Sequence, residues 1–323
     1  MINGHGDDIY RYRDIRANFS SNVYAHFNHA GLFRHLSEKL PHVVCYPEPS
    51  PDSLEAALAR HHGIRPEEVM ATNGATEAIY LIARAYRHLR MVIPQPTFSE
   101  YADACRQAGA TCLTAAAGPA DDLMTWLCNP NNPTGDVRSV ATLPEGKLVL
   151  DASYAAYTAK PLLTAVEAVR RKDMLMLRSM TKDYGIPGIR LGYVVGAEEM
   201  LRPLKALRMP WSIGTIALHA GCYLLRHHEE YRIPLDLLIS ERQHLAVAFG
   251  RLGIQTFPSD SNILLCLLPH GTATALKEQL ATRHGILIRD ASNFEGLTPR
   301  HFRIAAQTPE ENDLLIAAIT SAL

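Results

Sequence analysis

The chain has 323 residues, 47% of them hydrophobic and 20% charged, and carries a formal net charge of −1. That length supports a large core and a second domain, while the near-neutral balance argues against a protein dedicated to nucleic acid or to an anionic membrane surface. No apolar run approaches the roughly 20 residues that cross a bilayer, and the opening Met1-Ile2-Asn3-Gly4-His5-Gly6-Asp7-Asp8 is too polar for a signal peptide.

Along the chain, short apolar runs alternate with helical stretches from about residue 68 to residue 196. Strands are predicted at 69–71, 91–93, 111–113, 124–127, 147–150, 174–177 and 191–194. Several are apolar on both faces, as strands of a covered α/β sheet must be. Between the first two, Ile79, Ile82, Ala83 and Tyr86 recur at helical spacing over 76–89, a βαβ pattern. From 197 to 225 the chain turns helical, and a long helix is predicted over 237–252. The last part alternates again: strands at 263–267, 286–288 and 302–304, a helix around 272–284 and a closing helix from Pro309, together a small α+β unit. The expected division is an N-terminal arm joined to the small domain over 1–45, a large domain over 46–225 and a C-terminal small domain over 226–323.

Four segments carry chemistry. Arg178-Ser179-Met180-Thr181-Lys182-Asp183-Tyr184-Gly185-Ile186-Pro187-Gly188-Ile189-Arg190 lies between two predicted strands. A lysine there can form an imine with an aldehyde cofactor, and its hydroxyl and arginine neighbours can bind phosphate; a surface loop with one solvated lysine is the other reading. In Thr72-Asn73-Gly74-Ala75-Thr76 a strand ends at a glycine and a helix begins, which offers backbone N–H groups to an anion, although an ordinary βα turn reads the same way. Cys128-Asn129-Pro130-Asn131-Asn132-Pro133-Thr134-Gly135 is a rigid turn that presents an amide. Asp151 ends a buried strand, where α/β sheets bind ligands.

The order of these motifs resembles the fold-type I pyridoxal-phosphate enzymes, the aspartate-aminotransferase-like family, across nearly the whole chain. The resemblance implies an α/β architecture: a large domain with a mainly parallel seven-stranded sheet, a small α+β domain, and pyridoxal 5′-phosphate as cofactor. On that resemblance Lys182 is the Schiff-base lysine and proton carrier, Asp151 pairs with the pyridine nitrogen, and Asn132 and Tyr154 bond the ring oxygen. Ala75, Thr76, Ser179 and Arg190 hold the phosphate. Phe98 stacks on the ring, its alternative being a core aromatic, and Tyr46 reaches a neighbouring subunit's phosphate in a homodimer. Arg303 takes the substrate carboxylate.

Further segments, Gly4-His5-Gly6, Asn18-Phe19-Ser20-Ser21-Asn22, Met209-Pro210-Trp211-Ser212 and Ile286-Leu287-Ile288-Arg289-Asp290-Ala291-Ser292-Asn293-Phe294, are similar to one branch of the family, the threonine-phosphate decarboxylases of cobalamin biosynthesis. That likeness implies a small amino-acid phosphate as substrate, contacted by His5, Gly6, Asn22, Asn132, Arg289 and Arg303. Two arginines suit a carboxylate and a phosphate. Asp7 and Asp8 oppose that charge if they face inward. The ending Thr308-Pro309-Glu310-Glu311-Asn312 is shared with histidinol-phosphate aminotransferases, so transamination is the alternative activity; a cofactor-binding sensor without turnover is a third. Cys45, Cys105, Cys112, Cys128, Cys222 and Cys266 are scattered without a CxxC pair, as reduced thiols of a cytoplasmic protein are. No metal is expected at His26, His29 and His35, and His61-His62 and His227-His228 are expected to be solvated.

Overall fold

The computed structural model describes residues 6–115 and 118–323. A two-residue strand, β1 (Ala17–Asn18), precedes a seven-stranded sheet made of β2 (Val69–Thr72), β3 (Arg90–Val92), β4 (Cys112–Leu113), β5 (Leu123–Cys128), β6 (Lys147–Asp151), β7 (Met174–Arg178) and β8 (Gly192–Gly196). Its order is β2-β8-β7-β6-β5-β3-β4, with β8 antiparallel to both neighbours and the other pairs parallel. The seven predicted strands are all present, each within two residues at either end.

Side-chain alternation explains why these strands read as apolar throughout. Met124, Trp126, Val149, Leu175 and Leu177 enter one hydrophobic layer with helices Gly74–Ala85, Glu100–Gln107 and Glu198–Leu207. Leu127, Leu148, Leu150, Met174 and Met176 enter the other, with helices Ala30–Lys39, Asp52–His62 and Thr215–Arg226. Both sheet faces are covered, so both sets of alternate residues are apolar. The central strand β6 thus ends, with Asp151, in the middle of a crevice at the carboxyl ends of β5, β6 and β7.

The second unit is a four-stranded antiparallel sheet, ordered β12-β13-β10-β9, from β9 (Gln255–Thr256), β10 (Ile263–Leu267), β12 (Arg289–Asp290) and β13 (His301–Ala305). Its core joins Leu264, Cys266, Phe302 and Ile304 to Leu245 and Phe249 of helix Leu235–Arg251 and to Leu315 and Ile319 of helix Pro309–Ala322. β11 (Ile286–Leu287), the strand expected at 286–288, pairs instead, in parallel, with β1 outside this sheet, and β12 follows one residue later. The N-terminal stretch is likewise divided: β1 joins this unit, while Leu32 and Leu36 of Ala30–Lys39 pack in the large one.

The helical stretch expected over 197–225 comprises two helices, Glu198–Leu207 and Thr215–Arg226. Pro210 cannot continue a helix, and Trp211 takes a left-handed backbone, φ 59°. Of the histidines expected to be solvated, His61 and His228 are exposed, while His62 and His227 are half-buried. His62 is half-buried and bonds the Tyr193 hydroxyl at 2.8 Å; burial, reinforced by the charge of Arg178, pushes its pKa down to about 3. His227 stacks on Tyr223 at 4.1 Å. His29 Nε2 meets the Tyr184 carbonyl and His26 pairs with Glu311. The ending Thr308 to Asn312 is a helix start: Thr308 and Glu311 form a reciprocal capping box, and buried Asn312 donates to the Gln307 carbonyl.

Gly192 is required by close approach. A Cβ there would lie 2.5 Å from the Ala75 nitrogen and 2.7 Å from the Gly74 carbonyl carbon. Gly192→Ala is expected to lower unfolding free energy by about 1–3 kcal/mol, the usual cost of overpacking, measurable by urea titration of the apo protein; unchanged stability would contradict this close packing.

Candidate active site

At the carboxyl ends of β5, β6 and β7 a cavity of about 260 Å³ opens between the two units. Gly6, Asn22, Ala75, Thr76, Phe98, Asn132, Asp151, Tyr154, Ser179, Lys182, Arg190, Arg289 and Arg303 all line it. Of the nominated residues, His5 lies outside the described residues, and Tyr46 lies outside this cavity.

Lys182 sits on a single helical turn, Met180–Tyr184, that β7 delivers to the cavity. The turn is fixed from behind: Gly185 closes it in the left-handed conformation, and the Tyr157 hydroxyl donates to the Lys182 carbonyl at 2.9 Å. Its ammonium donates to the Ser21 carbonyl at 2.7 Å. Burial, helped by the nearby charge of Arg303, pushes the Lys182 pKa down to about 8. A lysine so placed is a free amine far more often near neutral pH than an ordinary one, as an imine-forming nucleophile needs.

Asp151, only 5% exposed, forms the floor. Its Oδ2 accepts the Tyr101 hydroxyl at 2.6 Å and its Oδ1 accepts the Ser153 N–H at 2.9 Å. Among the described residues no cationic side chain is within ion-pair distance of it. A buried carboxylate held by neutral donors alone is suited to a cationic ligand atom. Asn22 Nδ2 donates to the Tyr154 hydroxyl at 3.3 Å, and burial raises the Tyr154 pKa to about 12. Phe98 is half-buried at the wall, edge-on to Tyr101.

An anion cup lies beside it. Helix Gly74–Ala85 begins there, and its first N–H groups have no partner within the helix. Arg190, in a left-handed conformation (φ 61°), lays its guanidinium over Gly74; a Cβ at Gly74 would lie 2.6 Å from Nη2. Ser179 is at the cup's other side, capping the lysine turn. Amine, buried carboxylate and anion cup together fit an aromatic aldehyde that carries a basic ring nitrogen and a phosphate.

The small unit supplies the opposite wall. Arg289 and Arg303 are directly paired residues on β12 and β13, so their side chains leave the same sheet face. Arg303 donates to Asn132 Oδ1 and to the Ser20 carbonyl, both at 2.5 Å. Arg289 donates to Asn293 Oδ1 at 2.7 Å and lies 5.3 Å from the Phe294 ring centre. Burial lowers the pKa of Arg303 to about 9 and that of Arg289 to about 10. Like charges directly opposite on a sheet are unfavourable; this pair fits an anionic ligand. Of the two N-terminal carboxylates, Asp8 turns away to an ion pair with Lys277 at 2.6 Å, while Asp7 lines the cavity with its carboxylate bonded to Asn18.

Tyr46 is 86% exposed and packs against Trp211, 5.3 Å between ring centres. It lines a separate groove that includes Asn73 and Arg190, on the outer side of the anion cup. Sequence reading missed Tyr101 and Ser153, which hold Asp151, and Tyr157, which holds the lysine turn. Tyr101 and Tyr157 are aromatic residues in apolar stretches, where pattern signals only core.

These features define a cofactor-dependent enzyme of the fold-type I architecture. The model of the family "Aminotransferase class I and II" matches residues 15–319, and the chain belongs to that family, whose cofactor, pyridoxal 5′-phosphate, is its own. The chain is similar to the threonine-phosphate decarboxylase of Salmonella typhimurium, at 29% identity over 96% of this chain and 92% of that one. It is also similar to a histidinol-phosphate aminotransferase of Caldanaerobacter subterraneus subsp. tengcongensis, at 28% identity over 87% and 85%. The crystal structure of L-threonine-O-3-phosphate decarboxylase from Porphyromonas gingivalis matches with a TM-score of 0.89 and 33% identity, over 95% of this chain and 99% of that one.

Attachment of pyridoxal phosphate to the apo protein should accelerate as pH rises through about 8, where Lys182 loses its proton. Arg303→Gln should move that midpoint upward, because the Arg303 charge disfavours the ammonium. Stopped-flow absorbance measures both, and borohydride should then fix the chromophore on the peptide carrying Lys182. A label on any other peptide would overturn the assignment.

Proposed function

We propose that the chain decarboxylates L-threonine O-3-phosphate to (R)-1-amino-2-propanol phosphate, a step of cobalamin biosynthesis. The observation that carries this reading is the cross-strand pair Arg289 and Arg303, two buried cations on one sheet face above Lys182 and Asp151. A substrate with both a carboxylate and a phosphate offers each guanidinium an anion. Similarity to the decarboxylases of Salmonella typhimurium and Porphyromonas gingivalis supports the same choice.

When bound, pyridoxal phosphate supplies an electron sink for the bond broken at the substrate's α-carbon. The cup of Ala75, Thr76, Ser179 and Arg190 would hold its phosphate, Asp151 would pair with its ring nitrogen, Asn132 and Tyr154 would bond its ring oxygen, and Phe98 would pack on the ring. Arg303, bedded on Asn132 and the Ser20 carbonyl, holds the substrate carboxylate and so selects the bond that breaks. Arg289 takes the distal phosphate, with Gly6 and Asn22 lining the same cavity. The Lys182 side chain, in its ammonium form, is the acid that delivers a proton to the α-carbon in place of the lost carbon dioxide.

Two subunits complete the site in this reading. Tyr46, Val44 and Trp211 are exposed beside the anion cup, and a second copy covers them while its Tyr46 reaches the cup. Sedimentation should give a dimer at assay concentrations. Mixed dimers of Tyr46→Phe with Lys182→Ala subunits should differ from both parents, and a fully active monomer would contradict shared sites.

With L-threonine O-3-phosphate the purified enzyme should release carbon dioxide and return its cofactor unchanged each cycle. Arg289→Ala should raise KM by about 10- to 150-fold, the worth of one lost charge-assisted hydrogen bond, and leave the cofactor spectrum alone. Conversion of the cofactor to its amine form by histidinol phosphate, with no carbon dioxide from threonine phosphate, would replace this reading with transamination, the activity in the name of the Caldanaerobacter relative.

A further inference from the structure

The Tyr101 hydroxyl makes a hydrogen bond that packing does not require. The residue is fully buried on helix Glu100–Gln107, its ring 5.5 Å from Trp126 and edge-on to Phe98 at 5.7 Å. Those contacts involve only the ring, and a phenylalanine would keep them. The hydroxyl instead donates to Asp151 Oδ2 at 2.6 Å, while Oδ1 receives one backbone N–H from Ser153. Two neutral donors, one on each oxygen, are the partners this carboxylate has among the described residues.

We propose that Tyr101 is a positioning residue that keeps Asp151 ionised and thereby keeps the ring nitrogen of the cofactor protonated. The inference rests on pyridoxal phosphate as cofactor and on Asp151 facing its ring nitrogen. It does not depend on which amino-acid phosphate is the substrate.

A carboxylate beside a pyridine shares one proton with it. If the carboxylate is well solvated by donors, the ion pair wins and the proton stays on nitrogen. If a donor is removed in a buried site, the carboxylate becomes more basic and the proton moves to oxygen, leaving both groups neutral. Nothing else changes charge. A protonated ring nitrogen is the better electron sink, so the position of this one proton sets how readily the substrate bond breaks. Burial and the neighbouring Asp151 charge both hold the Tyr101 hydroxyl well above its ordinary pKa, so it serves as a donor only. Its helix is anchored by the Tyr80 hydroxyl donating to Glu100 at 2.9 Å. The Cys128 sulfur also lies within hydrogen-bonding reach of the Tyr101 hydroxyl, but a thiol that itself points to the Pro130 carbonyl at 3.1 Å is a far weaker acceptor than a carboxylate.

The test uses Tyr101→Phe holoenzyme loaded with cofactor labelled with nitrogen-15 in the ring. In the unsubstituted protein the nitrogen resonance should lie at the protonated position, and in Tyr101→Phe it should move toward the unprotonated one at the same pH. A second measurement compares affinities of the two apo proteins for pyridoxal phosphate and for its analogue with CH in place of the ring nitrogen. Tyr101→Phe should weaken pyridoxal phosphate about tenfold, as loss of a hydrogen bond to a charged group does, and leave the analogue unaffected. An unmoved resonance, or equal weakening of both ligands including complete loss of both, would overturn the proposal and leave Tyr101 a packing residue.

Discussion

Arg289 and Arg303 face each other across adjacent strands of the small sheet, both nearly inaccessible to water. Opposite them, on the large unit, lie a buried amine and a buried carboxylate that do not pair. Each cation is less basic than usual because burial penalises its charge. The buried charges of Lys182, Asp151 and Arg303, held by neutral partners, are costly, and a fold selected only for stability would pair or expose them. The cavity holds them apart instead, which fits a ligand that brings several charges of its own: a ring nitrogen to Asp151, one phosphate to the helix start, and a carboxylate and second phosphate to the arginines.

Topology is what brings these groups together. β8 runs against β2 and β7, so its start lies beside the end of β2, where Thr72 pairs with Gly192. Arg190, just before β8, therefore reaches the first turn of the helix that follows β2. The approach needs two residues without side chains, Gly74 under the guanidinium and Gly192 against the helix backbone. An all-parallel order would have put the start of β8, and Arg190 with it, at the far end of the sheet.

Much of this was legible in the sequence where chemistry and element boundary coincide. Asp151 ends β6, where a polar residue at a buried strand's end has few other uses, and Lys182 and Asn132 stand in the turns just beyond β7 and β5. The seven strands were legible because both faces of the sheet are covered and the runs are unbroken. Residues whose role depends on a partner from a distant element were not. Tyr101 looks like any aromatic on an amphipathic helix, and only the packing of that helix over β6 gives its hydroxyl the Asp151 carboxylate. His62 reads as a polar helix end until β8 supplies Tyr193. Asp8 looked like a charge opposed to phosphate, yet helix Ala273–Gln279 offers it Lys277 instead.

The turn after β5 shows how two units can act as one site. Asn131 donates to the Pro96 carbonyl and accepts from Thr97, which fixes the segment carrying Phe98. Asn132 receives Arg303 from the small sheet. Gly135 admits the loop before β10, where a side chain would meet Ser259 and lie 2.9 Å from the Ile263 carbonyl, and Asp260 accepts the Val137 N–H at 3.0 Å. Arg303 is thus bolted to the same bracket as Phe98, and its distance from the cofactor ring cannot change without breaking the Asn132 bond. Arg289 donates to Asn293 and packs on Phe294 within its own unit, beneath an N-terminal strap held by Asp8–Lys277 and Tyr12–Glu278. On the proposed assignment, the carboxylate whose bond breaks is held by Arg303 on this shared bracket, and the distal phosphate by Arg289 of the small sheet. A carboxylate held by an arginine of the small sheet that is itself fixed to a turn of the large one suits an enzyme whose choice of bond must be strict.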